Sequence, residues 1–193
     1  MLHKLLGCFG NAKLDAKNGE SPMLTFDFVG LDGGATAAAN ATPTLSAWKV
    51  PVAVTKSNVV DITLGCTYAT GVLSGGTVYN STGLSIDFGN EVSFVPMLTT
   101  EQVVLTNRKM TGSLELELSA AQEVAQIASV KAITLQGLGF TLGTATGNKI
   151  LLHAPSVQLF NPKKVDKNGL RLIGFDLKFM PVAGNDELRI VSL

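Results

Sequence analysis

Along most of the chain apolar and polar residues alternate with period two, the pattern of a strand that buries one face. From Met110 to Leu118, Met110, Leu114, Leu116 and Leu118 fall on one side, and Thr111, Ser113, Glu115 and Glu117 on the other. Leu84, Ile86 and Phe88 alternate with Ser85 and Asp87, and Val92 and Phe94 continue beyond Gly89-Asn90, a predicted turn or bulge. Ile173, Phe175, Leu177 and Phe179 alternate with Gly174, Asp176 and Lys178. The apolar parity slips between Leu172 and Ile173, which predicts a bulge by Gly174. Further strands are expected over 51–56, 60–64, 131–135, 149–152, 156–160 and 188–191. One helix interrupts them. Ser119 and Gln122 have capping-box spacing, alanines 120, 121, 125 and 128 favour helix, and Val124, Ile127 and Ala128 form an apolar stripe ending near Ser129. Many strands beside one helix predict a mainly β chain, an antiparallel sandwich or barrel-like fold with one short flanking α-helix.

The beginning and the end of this pattern echo each other. Asp15-Ala16-Lys17-Asn18-Gly19 precedes Leu24-Thr25-Phe26-Asp27-Phe28, as Asp166-Lys167-Asn168-Gly169 precedes Leu172-Ile173-Gly174-Phe175-Asp176-Leu177. Upstream, Lys4-Leu5-Leu6 and Ala12-Lys13-Leu14 resemble Lys149-Ile150-Leu151 and Val157-Gln158-Leu159. Each copy reads strand, strand, Asn-Gly turn, strand, and the copies lie about 150 residues apart, a typical domain length. Between the first copy and the next strand, residues 30–43 are small, nearly uncharged and rich in breakers, which predicts a linker or arm.

Composition adds one point. With 15 basic and 15 acidic residues among 193, the chain has no net pull toward nucleic acid or an anionic membrane. Only 16% of residues are charged, against roughly 25% in an ordinary soluble domain, and mean hydropathy is +0.30. Such a surface is expected either to be buried in part against other subunits or to carry a skin rich in Ser, Thr and Gly. The most apolar long stretch, 124–143, contains Gln126, Lys131 and Gln136 and is too interrupted to span a membrane, and no secretory signal pattern opens the chain. Cys8 and Cys66 read as free thiols rather than a disulfide framework.

The residues that carry chemistry are sparse. His3 and His153 lie near no Cys or carboxylate at metal-ligand spacing, and His153 reads as a surface or packing residue. Gly137 and Gly139 suggest a phosphate loop, but Gly143 falls one place late and the flanks are strands, so a glycine-kinked strand is expected. Asp166-Lys167-Asn168-Gly169 has too few carboxylates for a calcium loop and reads as a hairpin turn. Lys163, Lys164, Lys167 and Arg171 form a small basic cluster, read as a solvated loop with phosphate contact as the alternative. No nucleophile and base, metal ligand set or cofactor motif stands out, so an enzyme, a cofactor and a metal site are not expected.

At Thr106-Asn107-Arg108-Lys109-Met110-Thr111-Gly112-Ser113-Leu114-Glu115-Leu116-Glu117 the chain resembles the long form of the bacteriophage tail tube, or major tail, protein. The same resemblance is carried by Leu84-Ser85-Ile86-Asp87-Phe88-Gly89-Asn90, by Gly147-Asn148-Lys149-Ile150 leading to Ala154-Pro155-Ser156-Val157-Gln158, and by Gly184-Asn185-Asp186-Glu187-Leu188-Arg189-Ile190. His3-Lys4-Leu5-Leu6-Gly7-Cys8-Phe9-Gly10-Asn11 looks like an internal strand of that family. Nearly the whole chain is covered, by short motifs in the expected order.

The resemblance implies a tail-tube β-sandwich whose subunits form rings that stack into the conduit for DNA, in the virion tail, after assembly in the bacterial host cytoplasm. Its partners would be further copies of itself, tape-measure and tail completion proteins, with DNA passing without sequence-specific binding and no membrane. With the echo it implies a division: residues 1–31 as the last strands of a first tube domain otherwise absent, residues 32–46 as linker, and residues 47–193 as a complete domain. A shortened coding region or a remnant prophage gene would account for that. Two other readings stand beside it. One is the tube protein of a related bacterial contractile secretion system. The other is a solitary β-sandwich binding module, which calls for an aromatic cluster where Trp48 stands as the only tryptophan.

Overall fold

The computed structural model of the protein describes residues 1–193, the side chains of Val60 and Asp61 apart. In chain order the elements are β1 (Leu2–Lys17), β2 (Met23–Thr36), β3 (Val59–Leu64), β4 (Thr67–Ala69), β5 (Val72–Ser74), β6 (Thr77–Tyr79), β7 (Ser81–Asp87), β8 (Asn90–Pro96), β9 (Glu101–Arg108), β10 (Thr111–Leu116), α1 (Ala120–Lys131), β11 (Leu135–Leu142), β12 (Ile150–Lys167), β13 (Leu170–Phe179) and β14 (Arg189–Ser192). All pairings are antiparallel. The main sheet runs β2-β1-β7-β10-β13-β12-β11-β3-β6, with β14 on β12, while β4-β5 and β8-β9 are separate hairpins.

This sheet folds back on itself into a β-sandwich, and β12 makes the corner. Its residues 157–167 pair β13, and residues 150–158 pair β11. One buried cluster then draws Ile86, Leu114, Phe175 and Leu177 from one half and Ile62, Leu138 and Phe140 from the other. Each such fully buried side chain contributes about 1.5–3 kcal/mol relative to exposure.

Two prolines sit inside β12 without ending it. Pro155 lies where the register to β11 slips, and Pro162 where the register to β13 slips, so neither position demands a ladder N–H. The strands expected at 149–152 and 156–160 are therefore one. The predicted bulge beside Gly174 exists, but the extra residue is in β12 opposite, between Phe160 and Lys163. Leu172 and Ile173, on opposite faces, are both buried.

Ser119 caps α1 as a capping box: its hydroxyl accepts from the Gln122 N–H at 3.3 Å, and its own N–H donates to Gln122 Oε1 at 2.9 Å. The helix runs to Lys131, past the expected Ser129, so residues 131–134 are a helix end and turn, and of the strand expected over 131–135 only Leu135 is extended, as the first residue of β11. Its inward face is not the expected stripe. Val124 and Ala128 are exposed, while Gln126 is buried because its side-chain amide donates to the Tyr79 hydroxyl at 2.9 Å. Residues 51–56 form no strand either. Val54 alone of that segment is buried, and its backbone exchanges hydrogen bonds with Gly19 and Glu20 in the turn after β1.

Both Asn-Gly sites are hairpin turns. Asn168 and Gly169 have φ of +55° and +82°, the left-handed pair that a tight two-residue turn requires. After the first turn, β2 continues through residues 32–36 against Leu2–Leu6, and the irregular stretch begins at Ala37.

Candidate assembly surface

The two echoed strand pairs flank β7 and β10 in the main sheet. β12–β13 lies beside β10, and β10 beside β7. β1–β2 continues on the other side of β7, with β1, the counterpart of β12, making the contact. Outward from β7 and β10 the order is β1 then β2 on one side and β13 then β12 on the other. β1 pairs β7 over Lys13–Lys17 and Gly83–Asp87, and Ala16 enters the core there.

A polar network clamps this seam. Asn11 donates its side-chain amide to Asp87 Oδ1 at 2.8 Å, the Gly89 N–H donates to the same atom at 2.8 Å, and Lys13 Nζ lies 3.2 Å from Asp87 Oδ2. Asn90 donates its backbone N–H to Asn11 Oδ1 at 3.1 Å and its side-chain amide to the Gly10 carbonyl at 2.9 Å. Burial opposes ionisation of Asp87, but the hydrogen bonds from Asn11 and Gly89 and the charge of Lys13 outweigh it and hold its pKa below the usual carboxylate value.

The same residue types recur in β12. Asn161 and Lys163 stand 150 positions after Asn11 and Lys13, the offset that relates Asn168 to Asn18. Asn161 donates to Asp176 Oδ2 at 2.6 Å, and Lys163 Nζ lies 3.5 Å from that oxygen. The Asn-x-Lys pair therefore grips a carboxylate in both copies, across the seam in β1 and within its own hairpin in β12. The sequence carried this signal in the shared offset, and motif searching passed over it. Residues 163–167 pair β13 on one edge and have no ladder partner on the other among the described residues. β2 likewise has β1 as its one ladder partner among the described residues. Among the described residues both edges are open, as is that of β6 at the far end of the main sheet.

Apolar surface gathers nearby. On the β1–β2 hairpin Leu5, Leu6, Phe9, Phe26 and Phe28 are exposed, with Phe26 and Phe28 stacked at 5.9 Å. The β8–β9 hairpin lies against this hairpin, burying Val103, and ends in Met97 and Leu98, both exposed.

The remaining candidates from the sequence scatter. His3 lies exposed in β1. His153 is buried beside an open groove of about 580 Å³, near Cys66, Tyr68 and Arg189. The Arg189 guanidinium stacks 4.6 Å from the Tyr68 ring centre, and the Tyr68 and His153 rings are 5.9 Å apart. Burial pushes the His153 pKa down, a hydrogen bond to the Cys66 backbone opposes it, and the Arg189 charge adds to the depression. Gly137 and Gly139 lie inside β11, packed against the Cys66 backbone and the Leu73 side chain. Cys8 is an exposed free thiol and Cys66 a buried one. Of the basic cluster, Lys163 pairs Asp176 and Arg171 pairs Glu123 of α1. Trp48 is exposed in the irregular stretch before β3.

Comparison with known families matches residues 1–180 to a family model described as phage tail tube protein. Among curated proteins, none matches the chain.

Proposed function

The chain belongs to the phage tail tube protein family, and on that premise we propose that it is a structural, non-enzymatic subunit that self-assembles into stacked rings enclosing a DNA conduit. The observation that carries this reading is the β1–β7 seam. One copy of the echoed hairpin is docked on β7, and the other copy, β12–β13, carries the same Asn-x-Lys pair on a strand whose outer edge is open. An open edge is satisfied when a strand from a neighbour completes its ladder. In the assembled ring, residues 163–167 receive a β7-like strand of the adjoining unit, as β7 receives residues 13–17 within this chain.

The same logic supports the division proposed from the echo, with β1–β2 as the closing strands of a preceding tube unit and residues 47–193 as the following one. A chain with two complete units supplies two ring positions, so three chains close a pseudo-sixfold ring. The low charged fraction suits extensive contact between copies. Tape-measure and tail completion proteins would meet the ends of the tube, and DNA would pass without sequence readout.

Sedimentation and negative-stain electron microscopy of the purified chain test this reading. Rings or tubes are expected, formed as β1 yields its place on β7 to residues 163–167 of a neighbouring copy, since β7 is otherwise paired on both edges. A monodisperse monomer at all concentrations, or six duplicated chains per ring in the complete tube, would reject the assembly or the stoichiometry respectively.

A further inference from the structure

Resting on the self-assembly reading above, we propose that Leu98 of one copy inserts into an apolar cleft at the opposite end of β1 in the next copy. Leu98 is 106% exposed at the tip of the β8–β9 arm, where the Met97 N–H donates to the Thr100 carbonyl at 2.8 Å and holds the turn. No charged residue occurs from Pro96 to Thr100. An aliphatic side chain fixed in water at the end of a hairpin carries no structural benefit for its own fold.

The cleft has the complementary character. It holds about 120 Å³ and is lined almost wholly by carbon, from Leu14, Leu24, Leu142, Ile150, Leu152 and Ile190. Leu24, Ile150 and Ile190 at its mouth are 41%, 44% and 47% exposed. That volume is in the class of the ~150 Å³ apolar cavities that accept a single benzene-sized group, so one leucine side chain fills it.

Geometry makes the contact one between copies. β7 runs antiparallel to β1, so the chain leaving it at Gly89 heads toward the N-terminal half of β1, and the arm lies against β1 and β2 there. Seven residues of extended strand carry the tip roughly 20 Å further. Leu14 and Leu24, in the cleft, flank the 18–22 turn at the other end of the same hairpin. A knob at one end and its hole at the other form a head-to-tail interface, which propagates as an open stack.

Mixing Leu98→Cys with Leu24→Cys protein under mild oxidation, each in a Cys8→Ser background, tests the contact. On non-reducing gels the disulfide-linked heterodimer should exceed that formed with Val124→Cys, an exposed helix position away from the cleft, by about tenfold. Ile190→Cys serves as a second cleft position should Leu24→Cys fail to fold. No excess at either cleft position overturns the inference. Electron microscopy of the unmodified protein separates the two claims. Tubes without the cross-link leave the assembly reading standing and remove this contact. The cross-link without tubes supports the contact and removes the tube, and loss of both removes both.

Discussion

Asn11 donates its side-chain amide to the carboxylate of Asp87 across the β1–β7 seam, at 2.8 Å. This bond joins residues 76 positions apart and helps fix the N-terminal hairpin on the sheet. Asn11→Ala removes it and leaves the Asn90 backbone N–H without the Asn11 Oδ1 that accepts from it. A hydrogen bond to a charged group is worth about 1.5–3 kcal/mol when sheltered, and the partial exposure of Asp87 reduces that to about 1 kcal/mol. Urea titration should show this loss, and the amides of residues 12–17 should exchange faster with solvent.

Stability should fall in two stages with acid. His153 is held neutral in the fold, its pKa depressed by burial and by Arg189 against the Cys66 hydrogen bond. Its contribution is complete above the ordinary histidine value, about 6.5, and is lost as pH falls below it, because the unfolded chain takes up the proton first. Asp87 has a lowered pKa, so its contribution is complete above the ordinary aspartate value, about 3.9, and is lost as pH falls through its lower folded value. Thermal melts across pH should show both declines, with His153→Phe removing the upper one and Asp87→Asn the lower.

Gln126 and Tyr79 make a buried pair at 2.9 Å. Tyr79→Phe leaves the Gln126 amide short of a partner and should cost about 1–3 kcal/mol, the penalty of an unsatisfied buried polar group. Combining it with Gln126→Met should restore much of that loss. A double-mutant cycle on chemical denaturation checks the coupling, and strictly additive losses would disprove it.

Gly137→Ala should be among the most damaging single changes. A Cβ there runs into the carbonyl oxygen of Cys66, a backbone atom that cannot swing aside. Overpacking of this kind costs about 1–3 kcal/mol or more. Equilibrium unfolding measures it, and an unchanged midpoint would show that β11 and the Cys66 backbone lie further apart.

Much of this fold was legible because its signals are local. The Asn18-Gly19 and Asn168-Gly169 turns and the Ser119–Gln122 box each depend on a few adjacent residues, and each formed as expected. The length of β12 was not legible, since Pro155 and Pro162 read as breakers until the register slips opposite them are known. The helix face was misread because counting apolar residues favours Val124, whereas the Tyr79 hydroxyl draws Gln126 inward. The echo was visible in sequence, but its place beside β7 rests on pairing between distant residues.

A near-atomic cryo-electron microscopy reconstruction of the assembled tube tests the central claim most directly. The account predicts a sheet continuous around the lumen, with residues 163–167 laddered onto a β7-like strand of the adjoining unit and Asn161 and Lys163 at that boundary. Rings in which residues 163–167 face solvent with no ladder partner would contradict it.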